Sequence, residues 1–149
     1  MWRLVRLAVQ VMEYCPSAQV IKSDYAESQH KKGFYAMPTV SVLTPIYNTN
    51  HAHLRECIQS ILNQTYTDFE FIILNDSPEN QELEKLVLSY QDARIKYIKN
   101  DTNIGISQSR NKLIEIACGE YLAVADHDDI STPNILRQCL QLIAEFPLL

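Results

Sequence analysis

The chain has 149 residues, 46% hydrophobic and 21% charged, with a formal net charge of -5. That is enough for one domain with a real core, in the composition range of ordinary globular proteins. Net negative charge without a long basic run makes nucleic acid an unexpected partner. The four cysteines (Cys15, Cys57, Cys118 and Cys139) form no C-x-x-C pair, which speaks against a zinc knuckle and for reduced thiols in the cytoplasm.

The opening stretch MWRLVRLAVQVMEY has two arginines and an apolar stripe at Trp2, Val5, Val9 and Met12. It lacks the apolar core and cleavage site of a signal peptide. A helix docked on the domain is expected, and peripheral contact with the inner face of a membrane is the alternative. Residues 15–38 show little periodicity, so 1–37 reads as an N-terminal helix and connector, and 38–149 as the folded domain. No apolar run is long enough to span a bilayer.

From Pro38 onward the pattern is regular. TVSVLT (39–44) is a β-branched run expected to form a buried strand, and residues 51–64 place Leu54, Ile58, Ile61 and Leu62 on one helical face. FEFIIL (69–74) is a second strand, followed by a helix marked by Leu83, Leu86, Val87 and Tyr90. RIKYI (94–98) alternates as an edge strand does, and Ile106, Leu113, Ile116 and Ala117 mark a third helix. YLAVA (121–125) is a fourth strand, and Thr132 and Pro133 suit the N-cap and first position of a helix carrying Ile135, Cys139, Leu140 and Ile143.

Such βα alternation predicts an α/β fold, a Rossmann-like parallel sheet with helices on both faces. The expected order is third-second-first-fourth strand, with ligands bound beyond the C-terminal strand ends. Those ends are PIYN (45–48), NDSP (75–78), NDTNIGISQSRN (100–111) and DHDD (126–129), all polar or aromatic. The chain has only Gly33, Gly105 and Gly119, too few for a Gly-rich phosphate cradle. A cation must then do much of the work of holding phosphate. Asp126 and Asp128, two apart in extended chain, would point the same way and offer hard oxygens to Mg²⁺ or Mn²⁺. An Asp-rich turn capping the next helix is the plainer alternative, and Asp129 fits that role. His127 reads as a loop residue. Asp76 could accept hydrogen bonds from a base or ribose, or cap the second helix, for which Ser77-Pro78 is the better start. Tyr47 could stack on a base, and Arg110 could neutralise phosphate or pair with a carboxylate.

Taken together, VSVLTPIYN, the run from Leu54 through CIQSILNQTYTDFEFIILND, the NxGISxSRN loop and GEYLAVADHDD resemble the family 2 glycosyltransferases of GT-A fold over about residues 38 to 149. The resemblance implies inverting, metal-dependent transfer of a sugar from a nucleotide diphosphate sugar, most often a UDP-sugar, to a saccharide or other hydroxyl acceptor. It implies a nucleotide-sugar site made of Pro45, Tyr47, Asn48, Asp76, Asn103, Gly105, Arg110 and Asp126, with Asp126 and Asp128 as the D-x-D metal pair. Asn75 stands where the family's first carboxylate is common. The acceptor site and general base of the family lie beyond the equivalent of Leu149, so the domain is expected to be incomplete after the D-x-D motif, and no residue is assigned as base. A non-catalytic nucleotide-sugar-binding or interaction module is the alternative. A nucleotidyltransferase would need a Gly-rich basic loop where PIYN stands, and a response-regulator receiver would need acidic residues there. The apolar fourth strand lacks the charge of a natural edge. It is expected to be covered by a second copy, a partner chain or residues 1–38 folded back.

Overall fold

The computed structural model describes residues 8–10 and 37–145. The elements in chain order are β1 (Ala8–Gln10), β2 (Val40–Ile46), α1 (His51–Leu62), β3 (Phe69–Asn75), α2 (Gln81–Leu88), β4 (Ile95–Lys99), α3 (Ile106–Ile116), β5 (Tyr121–Val124) and α4 (Ile135–Glu145). They build one sheet in the order β1-β5-β2-β3-β4. Strands β5, β2, β3 and β4 run parallel, which is the four-strand order expected from the sequence. Among the described residues no helix is long and apolar enough to cross a membrane.

Alternation along the strands divides the core in two. Val40, Val42, Ile46, Phe69, Phe71, Ile73, Ala123 and Ala125 face one side, where Leu54, Ile58 and Ile61 of α1, Leu83, Leu86 and Val87 of α2 and Leu136 of α4 cover them. Leu43, Ile72, Leu74 and Leu122 face the other, against Leu113 of α3. Each such side chain contributes roughly 1.5–3 kcal/mol on full burial. Strand β4, half-buried from Ile95 to Ile98 and exposed at Lys99, is the expected edge. Its Lys96 reaches the buried Glu70 carboxylate at 2.5 Å, and the other Glu70 oxygen accepts from the Ser41 hydroxyl and the Cys118 amide.

The N-terminal expectation is corrected where it can be checked. Ala8–Gln10 is a strand, not part of a helix, and pairs antiparallel with Leu122–Val124. The open backbone of an apolar edge strand offers that segment more hydrogen bonds than an isolated helical turn would. The edge is therefore covered along this stretch by the N-terminal segment, one of the three coverings expected. The rest of the proposed helix and connector, including Trp2, Val5, Met12 and Cys15, lies outside the described residues.

Helix starts also differ from expectation. Asn50 caps α1, its side chain accepting from Ala52 and His53 amides. Asn80 caps α2, accepting from the Leu83 amide, so Ser77-Pro78 stays outside that helix. Helix α4 begins at Ile135 and not at Pro133, because residues 132–135 form a tighter turn closed by the Ile135 amide on the Thr132 carbonyl.

Candidate nucleotide-sugar site

The parallel strands end together, and backbone chemistry shapes the segment beyond each end. Strand β2 runs two residues past the expected stretch, through a buried Pro45 opposite Leu74. The carbonyls of Thr39 and Leu43 accept from β5 and the residue after it, so Pro45, of the same parity, would have directed its missing N–H toward β5 as well. The ladder between these strands ends at Leu43 and Val124, and the Ala125 carbonyl accepts instead from the Thr44 hydroxyl at 2.8 Å. Thr44-Pro45 thus marks where β5 parts from β2 and a crevice opens at Asp126. Thr44→Val should leave the Ala125 carbonyl unpaired and cost about 1–3 kcal/mol in urea unfolding.

On one side of that crevice stands Asp76, 3% exposed. One carboxylate oxygen accepts from the Asn100 side chain at 2.7 Å and the Ile104 amide at 2.9 Å. The other accepts from the Gly105 amide at 2.8 Å, which Asn103 shares through its side-chain oxygen at 3.0 Å. Burial pushes the Asp76 pKa up, but these donors outweigh it and hold the carboxyl below its ordinary value. Asn100, itself buried, also accepts from Lys112 at 2.7 Å. Asp76 therefore ties the loop 100–105 to the end of β3, and Gly105, at φ +82, turns the chain into α3.

The Asn75 departure has a local explanation. Its side-chain oxygen accepts from the Ser77 amide at 2.9 Å, and its amide nitrogen donates to the Tyr97 hydroxyl at 3.0 Å. This side chain shapes the turn after β3 and faces the neighbouring strand. Asn48, with a left-handed φ of 43, donates its amide to the Ser77 hydroxyl at 2.7 Å, a conformation asparagine tolerates better than most residues. Tyr47 beside it is 55% exposed.

Across the crevice the carboxylate segment is not extended, which corrects the geometry expected for it. The Asp129 amide donates to the Asp126 carbonyl at 3.1 Å, so 126–129 is a tight turn. Asp126 and Asp128 occupy its first and third positions, and Asp129 closes it, six residues ahead of the start of α4. Arg110 of α3 reaches Asp126 at 2.9 Å with both side chains about half exposed. An exposed pair of this kind adds little stability, but it brings two expected site residues together. His127 is half-buried within the turn. Among the described residues, no group of three or more His, Cys, Asp and Glu side chains is gathered closely enough to hold a metal alone.

Sequence reasoning gave no role to Asn100, Lys112, Thr44, Ser60 or Gln64, and read Cys57 only as a reduced thiol and Ser77 only as the start of the second helix. Each sits inside a motif or beside one, yet its partner is distant in sequence. Of these, Thr44 alone carries a local signal, as a polar residue between buried neighbours in an apolar strand.

The sequence and the fold resemble those of known proteins. Residues 41–148 match the model for glycosyl transferase family 2. An uncharacterized glycosyltransferase of Methanocaldococcus jannaschii is 47% identical over 103 residues, 68% of this chain and 36% of that protein. The chain thus spans about a third of that relative's length. Among solved structures, S. aureus TarS 1-349 in complex with UDP-GlcNAc superposes with a TM-score of 0.64 at 25% identity, over 72% of this chain and 31% of that one. The mannosyltransferase PcManGT of Pyrobaculum calidifontis, in complex with GDP-Man and Mn2+, shares the fold with a TM-score of 0.63 at 18% identity, covering 86% of this chain and 40% of its own. With a family model that covers most of its length and a relative 47% identical over two thirds of it, this chain belongs to glycosyl transferase family 2.

Proposed function

We propose that this chain is the donor-binding part of an inverting, metal-dependent glycosyltransferase that uses a nucleotide diphosphate sugar, in the first instance a UDP-sugar. The observation that carries the reading is the pair of opposed poles at the strand ends. A buried carboxylate, Asp76, organises the 100–105 loop on one side, and the Asp126–Asp129 turn with Arg110 lies on the other. The nucleoside would lie among Pro45, Tyr47, Asn48, Asp76, Asn103 and Gly105. The diphosphate would lie toward Arg110, Asp126 and Asp128. TarS, solved with UDP-GlcNAc, supports the choice of nucleotide.

The donor set fits Mn²⁺ or Mg²⁺. Asp126 and Asp128 are hard-oxygen groups on the exposed side of a turn, and such ions are commonly bound by one or two carboxylates plus substrate phosphates and water. Asp126 and Asp128 would hold the ion, which supplies charge neutralisation of the departing diphosphate. Arg110 would add a fixed positive charge on the same side. Attack on the anomeric carbon opposite the leaving group needs a base for the acceptor hydroxyl, and none of the described residues is assigned to that step. A non-catalytic nucleotide-sugar-binding module shares every feature but turnover. Acceptor-dependent release of UDP by this chain separates the two readings.

Calorimetric titration tests the donor site. UDP should bind with Mn²⁺ and lose most affinity in excess EDTA, because the chain has no glycine cradle for phosphate. Asp128→Asn should abolish that metal dependence, with affinity falling tenfold or more, on the order of the loss of a charged ligand. Equal UDP binding with Mn²⁺ and with EDTA would defeat the proposal.

A further inference from the structure

The carboxylate turn is held from behind by α1, a helix that contributes no residue to the site described above. Cys57 and Ser60 lie three apart on one face of α1, and Gln64 follows two residues after the helix ends at Leu62. The Cys57 thiol donates to the Asp126 carbonyl at 3.4 Å. Burial first, then the negative charge of Asp129, Asp128 and Asp126, pushes this thiol up to about 12, so it stays a protonated donor. The Ser60 hydroxyl donates to the Cys57 carbonyl at 2.8 Å and accepts from the Ser131 amide at 3.0 Å. Gln64, 4% exposed, uses both ends of its side chain. Its nitrogen donates to the Thr132 carbonyl at 2.7 Å and the Ser60 carbonyl at 3.1 Å, and its oxygen accepts from the Leu136 amide at 3.2 Å. Thr65 comes next, with its amide on the Pro133 carbonyl at 2.8 Å. The chain from Asp126 to Leu136 is thereby anchored at regular intervals to α1 and the residues after it, while its outer side stays open.

We propose that Gln64, aided by Ser60, is a positioning residue that sets the place of the Asp126–Asp129 turn, and so the affinity of the site for the metal-bound diphosphate part of the donor. The inference rests on the donor-site reading above. The turn has little apolar anchorage of its own: Asp126, Asp128 and Ile130 are exposed, and Ser131 is the buried residue closing the stretch. Its backbone donors and acceptors must find partners wherever they are buried, and Gln64 supplies a donor and an acceptor in one planar group, which fixes orientation as well as distance. It also satisfies an amide in the first turn of α4, as a cap does from within a helix. Substituting it frees the Leu136 amide, leaves the Thr132 carbonyl with the Ile135 amide as its remaining donor, and lets the turn ahead of them drift. Asp76 and the loop it holds make none of these contacts.

The test compares Gln64→Ala with Leu86→Ala, a core truncation under α2 remote from the turn, at matched loss of melting temperature. Hydrogen exchange and titration of uridine and of Mn²⁺-UDP are measured on both. For Gln64→Ala, amides of 129–136 should exchange about tenfold faster while those of β2 and β3 are unchanged. Mn²⁺-UDP affinity should fall about tenfold with uridine affinity within about twofold, as expected from one or two lost buried hydrogen bonds. Gln64→Glu keeps the acceptor and, when ionised, loses the donor. It should restore protection at Leu136 and leave that at Ser131 low. A uniform rise in exchange, or parallel loss of uridine and Mn²⁺-UDP in both variants, overturns the inference and leaves Gln64 an ordinary structural residue. If the wild-type chain binds neither ligand, the donor-site reading fails by that result, and the exchange pattern alone decides whether Gln64 positions the turn.

Discussion

Asp76→Ala should both destabilise the fold and weaken uridine binding in the absence of metal. The substitution leaves the Asn100 side chain and the Ile104 and Gly105 amides without their shared acceptor. A buried donor without a partner costs about 1–3 kcal/mol, so even with partial relaxation the loss should reach about 3 kcal/mol. Uridine affinity should fall roughly tenfold or more, because the 100–105 loop proposed to line the nucleoside site loses its tether. A carboxylate accepts at about four positions, and most of those on Asp76 are already engaged by the loop, so part of its effect on the nucleoside must run through loop placement. Uridine binding that survives unchanged would reduce Asp76 to a structural tether. The pH dependence has a definite sign. The folded-state pKa lies below that of the unfolded chain, so the stability it confers is fully present above the ordinary aspartate range, near about 4. That stability declines as pH falls below this range and through the folded-state value. Asp76→Asn should flatten this acid limb in urea midpoints measured between about pH 5 and pH 3.

Gly119→Ala should be the more damaging of the two glycine-to-alanine changes among the described residues. A Cβ at this position would lie 2.5 Å from the Ser41 amide nitrogen and 2.7 Å from the Val40 carbonyl carbon. Both belong to β2, which is paired on both sides and cannot yield. The Gly119 amide also donates to the Ser41 hydroxyl at 2.8 Å, and that hydroxyl binds buried Glu70, so displacement strands a carboxylate partner as well. Overpacking against backbone falls at the upper end of its range, about 3 kcal/mol, or roughly 10 °C in melting temperature for a domain of this size. Gly105→Ala is the informative contrast. No atom lies within 4 Å of its Cβ, and only the positive φ of +82 resists the change, for about 1–2 kcal/mol. An unchanged melting temperature for Gly119→Ala would mean that β5 can enter the sheet by another path than the close crossing seen at Ser41.

Apolar runs and helical periodicity determined the alternation of strands and helices and the parallel sheet, because each element's own residues record that it is buried. Leu54, Ile58 and Ile61 announce their helical face without reference to any other segment. The polar residues at the strand ends were legible as a group for the same reason: each interrupts an apolar run at a known end of the sheet. Their partners were not legible. The hydrogen bond from Leu136 to Gln64 joins residues 72 apart, and that from Thr44 to Ala125 joins residues 81 apart. Such pairs leave no periodic trace. The turn at 126–129 shows the same limit, since an extended reading of Asp126 and Asp128 was open until the Asp129 amide was found on the Asp126 carbonyl. At Ala8–Gln10 an apolar stripe that suits a helix becomes a strand beside β5. Local propensity is worth tenths of a kcal/mol per residue there, and an open sheet edge offers whole hydrogen bonds. Tertiary structure decided those cases because the free energy that settles them belongs to contacts between segments, whereas a pattern within one segment records only which of its faces is buried.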